Sequence, residues 1–245
     1  MRKNITCAGL FAGIGGFCKG FETNGFKTLW VNEIDKQVCD VYARNFPQTK
    51  IHNGDINNVS VEKDNLAPVD VLHAGFPCQS FSVAGNRRGF EDDRGKLFFQ
   101  ITRLIAEFGD AKPKVLLLEN APHLMDGDGG MWIDTIIFDL QCLGYWVTQE
   151  NCIMLNTRTH GGLPQDRKRL FIVAVSQDAF SHNPVTKINR KTRNIDLSAI
   201  IDLTKPKDEK YYLSYLFISH DMNVIRSVAD KIIVLEKGKV IESGR

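Results

Sequence analysis

A chain of 245 residues with 43% hydrophobic content is long enough to bury one large α/β domain or two modest ones. Its 31 Lys and Arg against 29 Asp and Glu leave a formal charge of +2, which neither announces nucleic-acid binding nor excludes it. No window approaches the roughly 18 apolar residues of a membrane span, and the first residues lack the apolar run of a secretory signal, so a cytoplasmic protein without a membrane span is expected.

Short β-rich runs alternate with amphipathic stretches along the first 175 residues. Residues 5–11 (ITCAGLF) precede a helix predicted near 15–24, 28–33 (TLWVNE) precede one at 35–45, 69–76 (VDVLHAGF) one at 95–108, and 115–120 (VLLLEN) one at 131–143. Residues 145–155 and 169–175 follow, both strand-like. The alternation predicts βαβ units and a mostly parallel sheet with helices on both faces, whose ligands sit at the carboxyl ends of the strands. From 177 to 212 the chain is polar and turn-rich and reads as a connector. Order returns at 213–221 (LSYLFISHD), with a helical 222–231 and a hairpin over 232–244 turning at Lys237-Gly238. The six cysteines (Cys7, Cys18, Cys39, Cys78, Cys142, Cys152) form no CxxC pair, so neither a metal site nor a disulfide framework is expected.

Phe11 to Phe17 (FAGIGGF) joins the first strand to the first helix, with glycines where backbone must turn sharply or approach a ligand. Glu33 ends the second strand roughly 20 residues later, where a carboxylate accepts from ribose hydroxyls. Asp55, after Gly54, is placed for an adenine amino group. Singly, each acid also reads as a solvated loop residue or a helix cap; together with the glycines they outline a nucleoside pocket. Cys78 follows Pro77 in a stiff turn ending the fourth strand, and Glu119 ends the fifth. Gln165, Arg167 and Arg169 alternate at the start of the last strand, so a thiol, a carboxylate and guanidinium groups are expected to converge. By itself this last segment also reads as the charged start of a surface strand.

These motifs, with GDI at 54–56, AGFPCQSFS at 74–82, GFEDDRGKLFF at 89–99, ENAPHL at 119–124 and QDRKR at 165–169, resemble the bacterial DNA (cytosine-5)-methyltransferases of restriction-modification systems over about residues 5–175. The resemblance implies a Rossmann-like, S-adenosylmethionine-dependent methyltransferase sheet acting on double-stranded DNA. A cognate restriction endonuclease would belong to the same system without direct contact. It implies Cys78 as nucleophile, Glu119 as proton donor, and Arg167 with Arg169 as base-binding groups. Implied cofactor contacts are Phe11, Gly13, Ile14, Gly16, Glu33, Ile34, Asp55, Ile56, Pro77 and Leu97. The chemistry suits the residues. A thiolate added to carbon 6 of cytosine makes carbon 5 nucleophilic toward an electrophilic methyl, and a carboxyl with a pKa raised by burial can protonate ring nitrogen 3. A stacked base is out of a thiol's reach, so the cytosine should flip, with the loop Ser80–Arg94 closing over it and Arg87, Arg88 and Arg94 near phosphates. An RNA cytosine methyltransferase shares the attack on carbon 6.

Members of that family continue past the last motif with a target-recognition domain and a terminal helix, neither of which is found. The chain is therefore expected to hold an incomplete catalytic domain at 1–176, a connector or the start of the recognition region at 177–212, and a short foreign β-α-β-β tail at 213–245. The tail resembles the end of an ABC transporter ATP-binding subunit, with His220 in the position of its switch histidine, but there is no GxxxxGK[ST] to hold a phosphate. Such a chain is expected to methylate DNA weakly or not at all, the alternative being a non-catalytic remnant that binds cofactor or DNA without turnover.

Overall fold

The computed structural model describes residues 5–77, 96–162 and 165–184, together with strands at 232–236 and 239–244. The chain divides into two units, Met1–Ile195 and Asp196–Arg245. In the first, β1 (Thr6–Leu10), α1 (Gly16–Thr23), β2 (Lys27–Glu33), α2 (Lys36–Asn45), β3 (Lys50–Asn53), β4 (Val71–Gly75), α3 (Leu97–Glu107), β5 (Val115–Asn120), α4 (Met131–Cys142), β6 (Tyr145–Trp146), β7 (Cys152–Asn156) and β8 (Lys168–Ser176) follow one another. The strands form one sheet in the order β3-β2-β1-β4-β5-β8-β6, with β7 also paired to β8.

Strands β1 to β5 are parallel. The sheet is mostly parallel as expected, and β8 is the exception: it runs antiparallel to β5, β6 and β7, so β6 and β7 share the direction of β5. The cause is the connection from β7 to β8, residues 157–167, which opens with a helical turn at Thr157–Gly161 and is too short for a crossover, whereas antiparallel partners need no more than such a loop. The single run expected at 145–155 is likewise two strands. Thr148 and Asn151 cap a short 3-10 turn reciprocally, with Asn151 Oδ1 accepting from the Thr148 N–H at 3.0 Å, and this breaks the extended backbone between them.

Helices cover both faces, as the alternation predicts. Trp30 buries its ring in a cluster with Phe98, Ile101 and Leu104 of α3 and Ile136 and Leu140 of α4. Its neighbour Val31 joins Cys18 of α1 and Tyr42 of α2 in another. Consecutive strand residues face opposite sides of a sheet, so the two clusters lie on opposite faces.

On the α1 face sits a buried histidine. The His73 ring, 1% exposed, stacks against Phe17 and Phe21 with centroids 5.1 and 5.4 Å away, and its Nε2 lies 3.4 Å from Cys18 Sγ. Gly9, its register partner on β1, makes the room: a Cβ there would lie 2.3 Å from His73 Cε1. Gly9→Ala should therefore lower stability by about 1–3 kcal/mol through overpacking. Urea unfolding checks this, and an unchanged midpoint would mean the ring can move aside.

In the second unit β9 (Ile232–Glu236) and β10 (Lys239–Gly244) pair antiparallel with Glu236 opposite Lys239, the arrangement expected of the hairpin. Its turn, Lys237-Gly238, lies outside the described residues, as do the strand expected at 213–221 and the helix at 222–231. Among the described residues no helix is long and apolar enough to cross a membrane, and no group of three or more His, Cys, Asp or Glu is placed to hold a metal ion.

Candidate active site

Parallel register brings five strand ends to one rim. Glu33 on β2 sits opposite Asn53 on β3, Leu10 on β1 opposite Asn32 and Ala74, and Gly75 on β4 opposite Glu119 on β5. Because β8 is antiparallel, it begins where β5 ends, with Leu170 opposite Asn120. Arg169 is thereby delivered to the same rim.

The loop after β1 is built on left-handed backbone at Phe11 (φ 54°), Gly13 (φ 55°) and Gly15 (φ 95°). Phe11 is the costly one, since residues with a Cβ rarely take this conformation unless their surroundings impose it. Those surroundings include the Ala12 N–H donating to the Asn32 carbonyl at 3.1 Å and the Gly13 N–H donating to Glu33 Oε2 at 2.9 Å. Glu33 Oε1 accepts from the N–H groups of Ile34 and Asp35. Asn53 Nδ2 donates to the carbonyls of Glu33 and Ile34, and Asn32 Nδ2 to those of His52 and Gly54. The three loops after β1, β2 and β3 are thus sewn into one edge.

Along this edge Asp55 caps a short 3-10 turn, and both bonds from Asn57 fall on Oδ1. A Cβ added at Gly13, Gly16 or Gly54 would meet nothing within 4 Å, so space is open above the backbone. Ile14 and Ile34 flank it, 61% and 64% exposed, far more than large aliphatic side chains usually are. An open cavity of about 380 Å³ adjoins, lined by His52, Asn53, Gly54, Asp55 and Asn58 among others. Phe11 and Leu97 are half-buried against the core. Ile56 differs from its neighbours: its side chain is buried in the core and its carbonyl accepts from Arg103 Nη2 at 3.0 Å, so neither faces the open edge.

At the other end of the rim Glu119 Oε1 lies 2.9 Å from Arg169 Nε, with the two side chains 22% and 27% exposed. Burial pushes the Glu119 carboxyl above its ordinary pKa, and the charges of Arg169 and Arg167 oppose that rise. Arg167 acts by charge without a hydrogen bond to Glu119, and both it and Gln165 precede β8 in irregular backbone. The alternation expected over 165–169 therefore begins only at Lys168. Carboxylate and guanidinium meet as expected. Cys78 and the loop Ser80–Arg94 with Arg87, Arg88 and Arg94 lie outside the described residues, and Pro77 is the last described residue before them.

Asn120 was given no role by sequence reasoning. Its side chain is buried, 2% exposed; Nδ2 donates to the Phe76 carbonyl at 3.2 Å and Oδ1 accepts from the Ala121 N–H at 2.8 Å. The β4–β5 ladder ends at Gly75, and Pro77 has no N–H to prolong it, so an amide side chain ties down the carbonyl just ahead of the proline. An asparagine directly after the strand-end acid was the available signal.

A family model described as C-5 cytosine-specific DNA methylase matches residues 5–239. The chain is 44% identical over 171 residues to the Type II methyltransferase M.Bsp6I of Bacillus sp., covering 69% of this chain and 51% of that protein. It is 35% identical over 224 residues to M.HpaII of Haemophilus parainfluenzae, covering 89% and 58%. Among solved structures it is similar to a DNA modification methyltransferase encoded within an E. coli prophage (26% identity, TM-score 0.59, 72% and 48% of the two chains). The Spodoptera frugiperda DNMT2 structure shares the fold (21% identity, TM-score 0.63, 85% and 62%). The chain spans about half the length of the curated relatives it matches.

Proposed function

The chain belongs to the C-5 cytosine-specific DNA methylase family, and on that premise we propose that it carries the chemical half of a DNA cytosine-5 methyltransferase. The observation that carries this reading is the half-buried Glu119 carboxyl, held against Arg169 and in register with the strand end that runs into Phe76-Pro77-Cys78.

The open edge suits S-adenosylmethionine. Glu33 Oε2 takes a single N–H and keeps acceptor capacity for a ribose hydroxyl, and Asp55 Oδ2 is the oxygen free of the Asn57 bonds for an adenine amino group. Ile14 and Ile34 offer apolar surface to the ring, and Gly13 and Gly16 let the ligand approach the backbone. Phe11, Pro77 and Leu97 border the same rim, and Ile56, its side chain in the core, offers its backbone at the start of the turn capped by Asp55. Bound there, S-adenosylmethionine supplies an electrophilic methyl group.

The chain's own residues do the rest. Cys78, as thiolate, adds to carbon 6 of a flipped cytosine, Glu119 gives a proton to ring nitrogen 3, and Arg169 with Arg167 holds the base carbonyl. After methylation of carbon 5, solvent takes the carbon 5 proton as the thiolate is expelled, and nitrogen 3 returns its proton to Glu119, restoring both Cys78 and Glu119. The substrate is double-stranded DNA. Residues 177–212 serve as a connector or the start of a recognition region, and 213–245 resemble the end of an ABC transporter ATP-binding subunit. No ATP binding is expected of them.

The test is duplex DNA carrying 5-fluorocytosine, incubated with the purified chain and S-adenosylmethionine. A denaturation-resistant complex is expected, because fluorine blocks the elimination. Cofactor affinity without any adduct or methyl incorporation would instead make this chain a binding remnant. Glu33→Ala should weaken S-adenosylmethionine binding about 10- to 100-fold, the loss of hydrogen bonds to a charged acceptor. Calorimetric affinity unchanged within twofold would place the ribose elsewhere.

A further inference from the structure

The Glu119–Arg169 pair is in conflict with the task assigned to Glu119. Nitrogen 3 of neutral cytosine is an acceptor, so Glu119 must carry a proton to meet it, whereas a guanidinium 2.9 Å away favours the ionised carboxylate. The carbonyl that Arg169 is to hold adjoins nitrogen 3 on the same edge of the ring. Both partners of the ion pair are therefore wanted by one base edge, in a charge arrangement opposite to that of the pair.

We infer that arrival of the base and protonation of Glu119 are one coupled event, in which the cytosine carbonyl takes the Arg169 guanidinium and the carboxylate left behind takes a proton from solvent. This rests on the methyltransferase reading of the site. The proton taken up is the one later passed to nitrogen 3 when the thiolate adds to carbon 6, so charge and atoms balance without any other reactant. Among the described residues Glu119 has little else to compensate its charge. Of the described elements packed against it, β4 presents Gly75, where an added Cβ would lie 3.3 Å from Glu119 Oε2, and α1 presents Phe17 at the same spot. Neither titrates. The charged groups are Arg169 and Arg167, and Arg167 makes no hydrogen bond to the carboxylate. A half-buried carboxylate stripped of its ion pair among such neighbours favours its neutral form. A chain with no base bound therefore holds Glu119 ionised, unable to protonate nitrogen 3, until a base is in place.

The carboxyl can be followed directly by carbon-13 NMR of the full chain labelled in glutamate, with Glu119→Gln assigning the signal. In the free chain Arg169→Met should move the Glu119 midpoint upward by at least one pH unit, and Arg169→Lys, which keeps a charge and guards against misfolding, by less. An unmoved midpoint in Arg169→Met overturns the inference. Next, a duplex with a cytosine opposite an abasic site, which lowers the cost of flipping, is added at pH 7. The wild-type signal should shift to the protonated position. If the duplex binds and forms the 5-fluorocytosine adduct with Glu119 still ionised, the exchange is overturned and the methyltransferase reading stands. If the chain neither binds the duplex nor forms the adduct, the reading itself fails, and the exchange with it.

Discussion

Cys78→Ser should abolish the covalent complex with 5-fluorocytosine DNA and lower any methyl incorporation by at least ~10³-fold, while leaving S-adenosylmethionine affinity unchanged. Serine is nearly isosteric, so what changes is the nucleophile: a hydroxyl is hardly ionised at neutral pH and is a poor leaving group in the final elimination. The other thiols offer little competition. Burial pushes Cys18 and Cys152 up to about 11 and raises Cys7 and Cys39 as well, keeping all four protonated. Cys142 is exposed at the end of α4, away from the strand rim. Gel analysis after denaturation decides the matter, since an adduct surviving Cys78→Ser would mean that another residue attacks the base.

Acid should destabilise the first unit through His73 before its carboxylates are lost. Burial depresses the imidazole from its ordinary 6.5 to about 3. A group held neutral in the folded state contributes stability that is fully present above its unfolded pKa, near 6.5, and declines as pH falls toward the folded one. The slope is about 1.4 kcal/mol per pH unit, so lowering the pH from 6.5 to 4.5 should remove about 2–3 kcal/mol. Asp70 titrates lower. Its hydrogen bond from Lys114, aided by bonds from Thr6, holds it at about 2, so its contribution is present above the ordinary 3.8 and is lost only as pH falls further. Glu119 works in the opposite sense, because a raised carboxyl loses folded-state stability as pH rises. His73→Met fills the space without a titrating group and should flatten the slope between pH 6.5 and 4.5 in urea unfolding. A variant as acid-sensitive as the wild type would acquit His73.

Much of the architecture is written locally. Strand-to-helix alternation located all four helices to within two residues at either end, α1 at Gly16–Thr23 against 15–24 and α3 at Leu97–Glu107 against 95–108. Periodicity suffices there because each helix or strand announces its own buried face within a few residues. The failures share a cause as well. The direction of β8 depends on what joins it to β7, and the break at Thr148–Asn151 on a side chain closing back onto its own backbone, neither of which appears in hydrophobic period. For Ile56 the motif position says that the residue is near a ligand and not which way its side chain turns; with the side chain in the core, contact with a ligand there falls to the backbone.

From sequence alone came the inventory of the chemistry: a glycine-rich turn, strand-end acids at Glu33 and Glu119, a cysteine after a proline and arginines at 167 and 169, in an order that marks one family. The order of motifs along a chain is a one-dimensional property and survives without coordinates. What only the tertiary structure decided is how those groups act on one another. Glu33 spends its carboxylate partly on the loop of Gly13, Asn120 holds the carbonyl ahead of Pro77, and Glu119 faces Arg169 fifty residues away. The cause is physical: a carboxyl's protonation state depends on burial and on the charge facing it, and both arise only when β4, β5 and an antiparallel β8 end at the same rim.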